Sequence, residues 1–443
     1  MNLTVRIFFR SITVHNKEAI PKKGPLLVLA NHPSTFMDPI VIASLIDRKV
    51  YFLAKGELFK SKFSKWFFPK LNMIPVYRKQ DDPSQMNKNQ DTFKKCFEHL
   101  EKGGAILMFP EGISITQRKL SPIKTGAARI VLGAEEINKF KLNTSIITIG
   151  LNYENPHKFN QDLFVNIDNP INAIDYKEEY DKDTFKTAEL LTEEIRKRLE
   201  NLVIAIEDEK IDELVNNIES IYKYKLTKDN GFSRDDKNAE FHLTKNIVES
   251  VTYFSINHPE FLESISKRVN EYLNNLKLLG INDTDIARSQ TKVNFFKNAF
   301  YAFSTILVGF PIYVYGLINN FLPFEIPGWL ANKISKSIEF RGAIGMVGGF
   351  FTFTLFYTIQ TIFIWKYSHT LWITLMYLIS LPLTGLMAYW YFNKVSKIRN
   401  KWTLIMLFYK KNVYISNLIV ERENLIAEFE KAKNKFIELN PKK

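Results

Sequence analysis

Pro25-Leu-Leu-Val-Leu-Ala-Asn-His-Pro-Ser-Thr-Phe-Met-Asp-Pro39 decides how the first half of this chain folds. Residues 25–30 are a short apolar run, the composition of a strand buried on both faces. Pro33 biases His32 toward extended backbone and keeps a helix from starting before it. Helical spacing begins at Asp38 and continues to Ile46. The stretch therefore places a histidine at the carboxyl end of a strand, where open α/β sheets form their sites. Asp38, in the helix's first turn, is within reach of one imidazole nitrogen. Such a bond fixes the tautomer and stabilises the imidazolium as it forms, leaving the other nitrogen free to take a proton. Taken alone, a histidine and an aspartate six apart are as well explained by chance or by a structural pair.

Working outward, residues 1–200 alternate apolar runs with helical segments and turn signals. Val50 to Ala54, Met73 to Tyr77, Ala105 to Phe109, Ser145 to Tyr153 and Leu163 to Ile167 read as further strands. Asn87 to Lys102 has helical spacing and stops at Gly103-Gly104. The expectation is an α/β domain: a parallel or mixed sheet of six or seven strands covered by helices on both faces.

Beyond it the chain changes character. Residues 201–290 are charged and helical, the helical character starting near residue 183. A polar loop is expected at Lys225 to Lys237 and an interruption near Gly280. A lid, a dimer interface and a spacer to the membrane are all open roles for this region, and oligomeric state is not legible. Residues 291–393 carry long uncharged runs. Ala299 to Phe324 and Gly342 to Trp365 have no charged residue, and Tyr367 to Asn393 has only His369 as an ionisable group. Each is long enough to span a hydrocarbon core of ~30 Å. Trp365, Tyr367, Trp390 and Tyr391 stand at run ends, as interfacial aromatics do. Residues 394–443 form a helical tail whose start, with Lys394, Lys397, Arg399, Lys401, Lys410 and Lys411, is expected on the cytoplasmic side. The N-terminal domain is expected there too, which requires an even number of crossings. Residues 342–393 then form a helical hairpin, and 299–324, interrupted by Pro311, is re-entrant or interfacial. Three full crossings with an external tail are the alternative.

The net charge of +13 fits anionic partners such as phosphorylated substrates or an anionic leaflet. Nucleic acid is disfavoured, because neither zinc-finger spacing nor an RNP-type aromatic motif is found. No metal is expected, since the histidines are scattered and Cys96 is the single cysteine. The start MNLTVRIFFR has too short an apolar run for a signal peptide. Lys60-Ser-Lys-Phe-Ser-Lys-Trp-Phe-Phe-Pro-Lys70 mixes basic and aromatic side chains, as an interfacial patch or a core helix would.

Three further blocks follow the histidine loop: Ile74-Pro-Val-Tyr-Arg78, Phe109-Pro-Glu-Gly-Ile-Ser114 and Gly150-Leu-Asn-Tyr153, with Lys124-Thr-Gly-Ala-Ala-Arg129 after the second of these. In order and spacing they resemble the PlsC-type glycerolipid acyltransferases over roughly residues 10–200, and within them the branch that includes glycerol-3-phosphate acyltransferases. The resemblance implies that His32 is the general base and Asp38 its partner. It also implies that Arg78, Glu111 and Gly112 hold the glycerol-phosphate acceptor. Arg78 offers a planar fork suited to phosphate, and Gly112 allows close backbone approach. Glu111, when ionised, would orient a cation or accept from an acceptor hydroxyl. Ser114 is a helix cap or a phosphate ligand; Lys124 and Arg129 are phosphate or thioester-carrier contacts, or solvated helix charges. The implied reaction transfers an acyl group from acyl-CoA or acyl-carrier protein to glycerol-3-phosphate, or to 1-acylglycerol-3-phosphate or another lysophospholipid. It needs no cofactor, and backbone amides near His32 or Gly112 are the expected oxyanion donors. A thioester hydrolase and a non-catalytic membrane protein are the rivals. Two departures stand out. Five residues separate His32 from Asp38 where four are commonest in the family, so a turn must absorb one more. Thr148 stands where many relatives have proline.

Overall fold

In the computed structural model, residues 2–78, 81–229, 231, 236–289, 295–335, 337–410 and 412–439 are described; part of the expected loop (232–235), Lys411 and the end of the tail lie outside them. The chain divides into two compact units. One is Met1–Glu207 with Leu330–Val347; the other is Asp208–Trp329 with Gly348–Lys443.

The first unit is built on one eight-stranded sheet. Its strands are β1 (Ser11–His15), β2 (Leu26–Ala30), β3 (Val50–Lys55), β4 (Met73–Val76), β5 (Ala105–Met108), β6 (Ser145–Tyr153), β7 (Asp162–Ile167) and β8 (Ile171–Asn172). Their order is β1-β7-β6-β2-β5-β3-β4, with β8 on β6. The run β6-β2-β5-β3-β4 is parallel; β7 and β8 are antiparallel to β6. All five residues of β2 are fully buried. Each leucine or valine so placed is worth about 1.5–3 kcal/mol of burial, which fixes β2 at the centre.

Alternation along β2 feeds two cores. Leu26, Val28 and Ala30 pack with α1 (Asn2–Phe8) and α2 (Met37–Leu45), and Leu27 and Leu29 with α4 (Asn89–Glu101), α5 (Gly126–Ile137) and α7 (Thr184–Leu202). The short helices α3 (Lys62–Phe67) and α6 (Lys177–Lys182) complete the first unit's set. Ala343 and Met346, 2% and 5% exposed, lie in the α1–α2 core. Residues 330–347, read from sequence as part of the membrane region, thus belong to the sheet domain. So does α7, which the 200/201 boundary cuts: Gly150 lies so close to Leu202 that a Cβ would sit 2.2 Å from its carbonyl oxygen.

The second unit is helical: α8 (Glu209–Asp229), α9 (Lys237–Asn257), α10 (Pro259–Leu279), α11 (Asp283–Ser289), α12 (Phe295–Ile334), α13 (Arg341–Ser368), α14 (Leu371–Lys410) and α15 (Asn412–Leu439), with α12 and α13 starting or ending in the other unit. Helix α8 runs on through Lys225 to Asp229, so the loop between α8 and α9 is shorter than expected. Helix α15 packs back on the helices that precede α12. Arg422 pairs with buried Asp283 at 2.7 and 3.1 Å, Tyr272 donates to the same carboxylate at 2.8 Å, and Arg268 reaches Glu421 at 2.9 Å.

Among the described residues, helices α12, α13 and α14 contain three stretches long and apolar enough to cross a membrane. Helix α12 has Pro311, Pro323 and Pro327 inside it. A helical proline leaves the carbonyl four residues back without a donor, and apolar surroundings make that costly. Two of these carbonyls find side chains of α13. Gln360 Nε2 donates to Asn319 O at 3.0 Å in place of Pro323, and Thr352 Oγ1 to Pro323 O at 2.8 Å in place of Pro327. Asn320 adds bonds to Leu381 O at 3.2 Å and from Tyr357 at 2.7 Å, and Asn319 accepts from Tyr377 at 2.6 Å.

These contacts also trace the path of α12. Its first limb follows α14 toward the α13–α14 turn, from Tyr391–Ile306 to Tyr377–Asn319, and its second follows α13 away from that turn, from Tyr357–Asn320 to Thr352–Pro323. The two limbs meet at Asn319–Asn320. Gln360→Leu and Thr352→Val are each expected to lower stability by about 0.6–2 kcal/mol, read as a lower thermal midpoint of the detergent-solubilised protein.

Candidate active site

Because β2, β5, β3 and β4 are parallel neighbours, their following loops meet at one sheet edge. His32 follows β2, Phe109–Ser114 follows β5 and Arg78 follows β4. The far end of β6 closes the other side: Asn31 clamps it by exchanging hydrogen bonds with Leu151, 3.1 Å to its carbonyl and 2.7 Å from its N–H.

His32 Nδ1 lies 2.8 Å from Asp38 Oδ2. The Asp38 side chain is fully buried, so its carboxylate must be surrounded by donors. Ser34 N–H donates to Oδ2 at 2.8 Å and Tyr153 O–H to Oδ1 at 2.8 Å. Burial, then the Asp38 charge, holds the Tyr153 phenol well above its usual pKa, so it remains a donor. The imidazole stacks on Phe109, with ring centroids 3.9 Å apart and planes 10° from parallel. With Nδ1 committed to Asp38, Nε2 is the nitrogen left for a substrate proton.

Glu111 is a strut. Its oxygens accept from the backbone N–H of His32 at 2.9 Å and of Ser121 at 2.8 Å, so it joins the two loops. Burial raises its pKa, and the two N–H bonds pull the other way. The Ser114 Oγ accepts from Thr35 N–H at 3.0 Å, which ties the loop after β5 to the histidine loop. Arg78 pairs with Asp81 in fork geometry, at 2.6 and 2.9 Å, and its Nη1 donates to the Gly112 carbonyl. Gly112 has φ +71°, backbone that suits glycine, and a Cβ there would meet Lys124 Nζ at 2.8 Å. Lys124 therefore brings its ammonium over the same turn. Arg129 is exposed on α5 and lies over the Phe93 ring at 5.4 Å. Of the expected site residues the structure gathers His32, Asp38, Glu111, Gly112, Ser114, Arg78 and Lys124, while Arg129 points to α4.

Four of the amides near His32 and Gly112 already have acceptors. The amides of His32, Ser34, Thr35 and Gly112 donate to Glu111, Asp38, Ser114 and the Phe109 carbonyl. The Thr148 hydroxyl is buried on the β6 position paired with Leu29, hence on the face packed by α4, α5 and α7. Cys96, buried in α4, is a thiol pushed up to about 12 by burial. Among the described residues no group of His, Cys, Asp and Glu could hold a metal ion.

Residues 11–152, which contain this site except Tyr153, match the family model described as acyltransferase. Over these residues the chain is similar to the acyltransferase family. Glycerol-3-phosphate O-acyltransferase 1 of Saccharomyces cerevisiae is 27% identical over 253 residues, 55% of this chain and 31% of that protein. The chloroplastic 1-acyl-sn-glycerol-3-phosphate acyltransferase LPAT1 of Arabidopsis thaliana is 30% identical over 120 residues, 27% of this chain and 32% of that one. The chain thus spans about a third of the length of these curated relatives. The crystal structure of the 1-acyl-sn-glycerophosphate (LPA) acyltransferase PlsC from Thermotoga maritima aligns at 21% identity over 44% of this chain and 74% of that one, with a TM-score of 0.30, too low to support a structural argument.

In this domain Tyr153 is the residue whose role the sequence hides. Motif spacing brings the block that holds it into view, but its bond to Asp38 spans 115 positions. Asp38→Asn should reverse the imidazole tautomer and lower kcat by about 10³–10⁴-fold. Tyr153→Phe, which removes one of three donors, should lower it far less. Steady-state kinetics of the two variants beside wild type test this order.

Proposed function

We propose that this chain is a membrane acyltransferase that moves a fatty acyl group from acyl-CoA or acyl-carrier protein to the hydroxyl of glycerol-3-phosphate, in phospholipid synthesis. The observation that carries the reading is the oriented His32–Asp38 pair, with Nε2 left to substrate at an edge where Arg78 and Lys124 supply positive charge around Gly112. Nε2 takes the acceptor's hydroxyl proton as the oxygen attacks the thioester carbonyl. Such assistance is worth ~10²–10⁴ in rate. The tetrahedral intermediate then expels the thiolate, which recovers the proton from the imidazolium. The amides of Ile113 and Ser114, in the same turn as Gly112, are the donors we assign to the oxyanion. The names of the relatives also support a second acceptor, 1-acylglycerol-3-phosphate.

The decisive assay offers palmitoyl-CoA and palmitoyl-carrier protein to the detergent-solubilised protein with glycerol-3-phosphate or its 1-acyl form, and His32→Ala as control. Product from glycerol-3-phosphate that disappears in the variant supports the proposal. Product from the 1-acyl form alone moves the enzyme to the next acylation with the same base. Product that persists in His32→Ala removes His32 from the chemistry.

The membrane arrangement follows from chain continuity. Helix α15 packs on α8, α10 and α11 through Arg422 and Arg268, so the segments before α12 and after α14 share one side of the bilayer. That side is the cytoplasmic one by the basic cluster. Helices α13 and α14 are the crossing hairpin, and α12 enters and returns. On the sheet domain, Phe63 and Trp66 are 65% and 59% exposed beside Lys60, Lys62, Lys65 and Lys70, a composition suited to an anionic interface. In sealed vesicles, a cysteine at Thr370 should react with an impermeant maleimide from the face opposite to cysteines at Asn282 and Leu439. Reaction of all three from one face rejects the hairpin.

A further inference from the structure

Thr35 has φ +25°, a left-handed backbone on a β-branched residue, at the centre of the loop between His32 and Asp38. Such a conformation persists where its surroundings over-determine it, and it clusters at functional sites. Here two distant segments hold it. Its N–H donates to Ser114 Oγ at 3.0 Å, and its hydroxyl donates to the Glu339 carbonyl at 2.8 Å. The neighbouring Ser34 hydroxyl, fully buried, points to the same carbonyl at 3.4 Å. Phe36, next along, meets Phe340 edge-on, with ring centroids 5.6 Å apart. Three consecutive residues of the catalytic loop therefore rest on residues 339–340.

That support is itself anchored. Residues 338–340 form a single 3-10 turn that runs directly into α13. Gly342 sits so close to the 156–157 backbone that a Cβ would fall 2.1 Å from the Pro156 carbonyl oxygen. Ala343 and Met346 are buried in the α1–α2 core. The lead-in to α13, which continues as a membrane-length helix, is thus seated in the sheet domain on one side and bonded to the histidine loop on the other.

We propose that Thr35 is a positioning residue, and that the α13 lead-in at Glu339–Gly342 is a working part of the acyltransferase site. Thr35 absorbs the fifth residue between His32 and Asp38 by taking the left-handed turn. The Glu339 carbonyl holds it there, so that Ser34 N–H and His32 Nδ1 converge on one oxygen of Asp38. With the hydroxyl anchor removed the loop relaxes, and the His32–Asp38 geometry loosens without any change in the groups that contact substrate. The inference rests on His32 being the base.

The test uses the full-length protein in detergent with saturating acyl donor. Thr35→Val keeps the branched shape and removes the hydroxyl; Thr35→Ser keeps the hydroxyl. A loosened site of this kind costs on the order of 10²-fold, so Thr35→Val should lose roughly 10–100-fold in kcat with the acceptor KM unchanged, while Thr35→Ser stays within about 3-fold of wild type. Gly342→Ala, which pushes the lead-in off Pro156 from the far side, should give the same kcat-only loss. Thr35→Val with wild-type kcat, or Thr35→Ser falling as far as Thr35→Val, overturns the proposal. So does a rise in KM in place of the kcat loss. If Thr35→Val fails to fold, Thr35→Ala carries the same comparison with less bulk. His32→Ala is run in parallel: activity there defeats the base assignment, whereas an inactive His32→Ala beside a fully active Thr35→Val defeats only the positioning role.

Discussion

A carboxylate with no contact with water has to be met by donors on every side, and Asp38 draws its donors from different parts of the domain. His32 and Ser34 come from the loop after β2 and Tyr153 from the end of β6. Tyr153 is in place only when β2 and β6 are in register, because Ala30 must sit opposite Ile149 for the two strand ends to meet. The buried charge thereby makes the chemistry conditional on the sheet: an unfolded or slipped β6 leaves Asp38 without Tyr153. Glu111 repeats the device one layer out. It spends its carboxylate on two backbone amides, and so ties the loop after β5 to the one that carries the histidine.

The central strands were legible because strands buried on both faces are continuous apolar runs. Ser145–Tyr153 matches its expected limits, and β2 differs by a single residue. The edge strand β1 was not legible. Its residues are half-buried or exposed, so no apolar run marks it. The histidine–aspartate pair was legible from local spacing, since both partners lie within one loop and turn. What could not be read were the roles that depend on what a side chain finds across the fold. The family resemblance cast Glu111, Ser114 and Arg78 as contacts to a substrate, and says nothing of the partners they have within the fold. In the structure the first two bind backbone amides, and the third binds Asp81 and a carbonyl.

The assignment of 330–347 shows a different limit. An apolar stretch that packs on protein and one that faces lipid have the same composition, so sequence places Gly342 and its neighbours in the membrane. Only the packing of Ala343 and Met346 separates the first turns of α13 from the rest of the helix. Within the apolar helices, polar residues follow the prolines' needs. Gln360 and Thr352 look like isolated defects in an otherwise hydrophobic α13, yet they supply the donors that Pro323 and Pro327 took away.

The chain's one thiol has a consequence for life among activated acyl groups. An acyl thioester exchanges readily with any accessible thiolate, and a protein that handles such donors is exposed to self-acylation on cysteine. Cys96 is fully buried within α4, and burial keeps it protonated at any physiological pH. Under the proposed reaction, a thioester donor at this domain therefore meets no thiolate from Cys96, and the acyl group has no side path onto that residue.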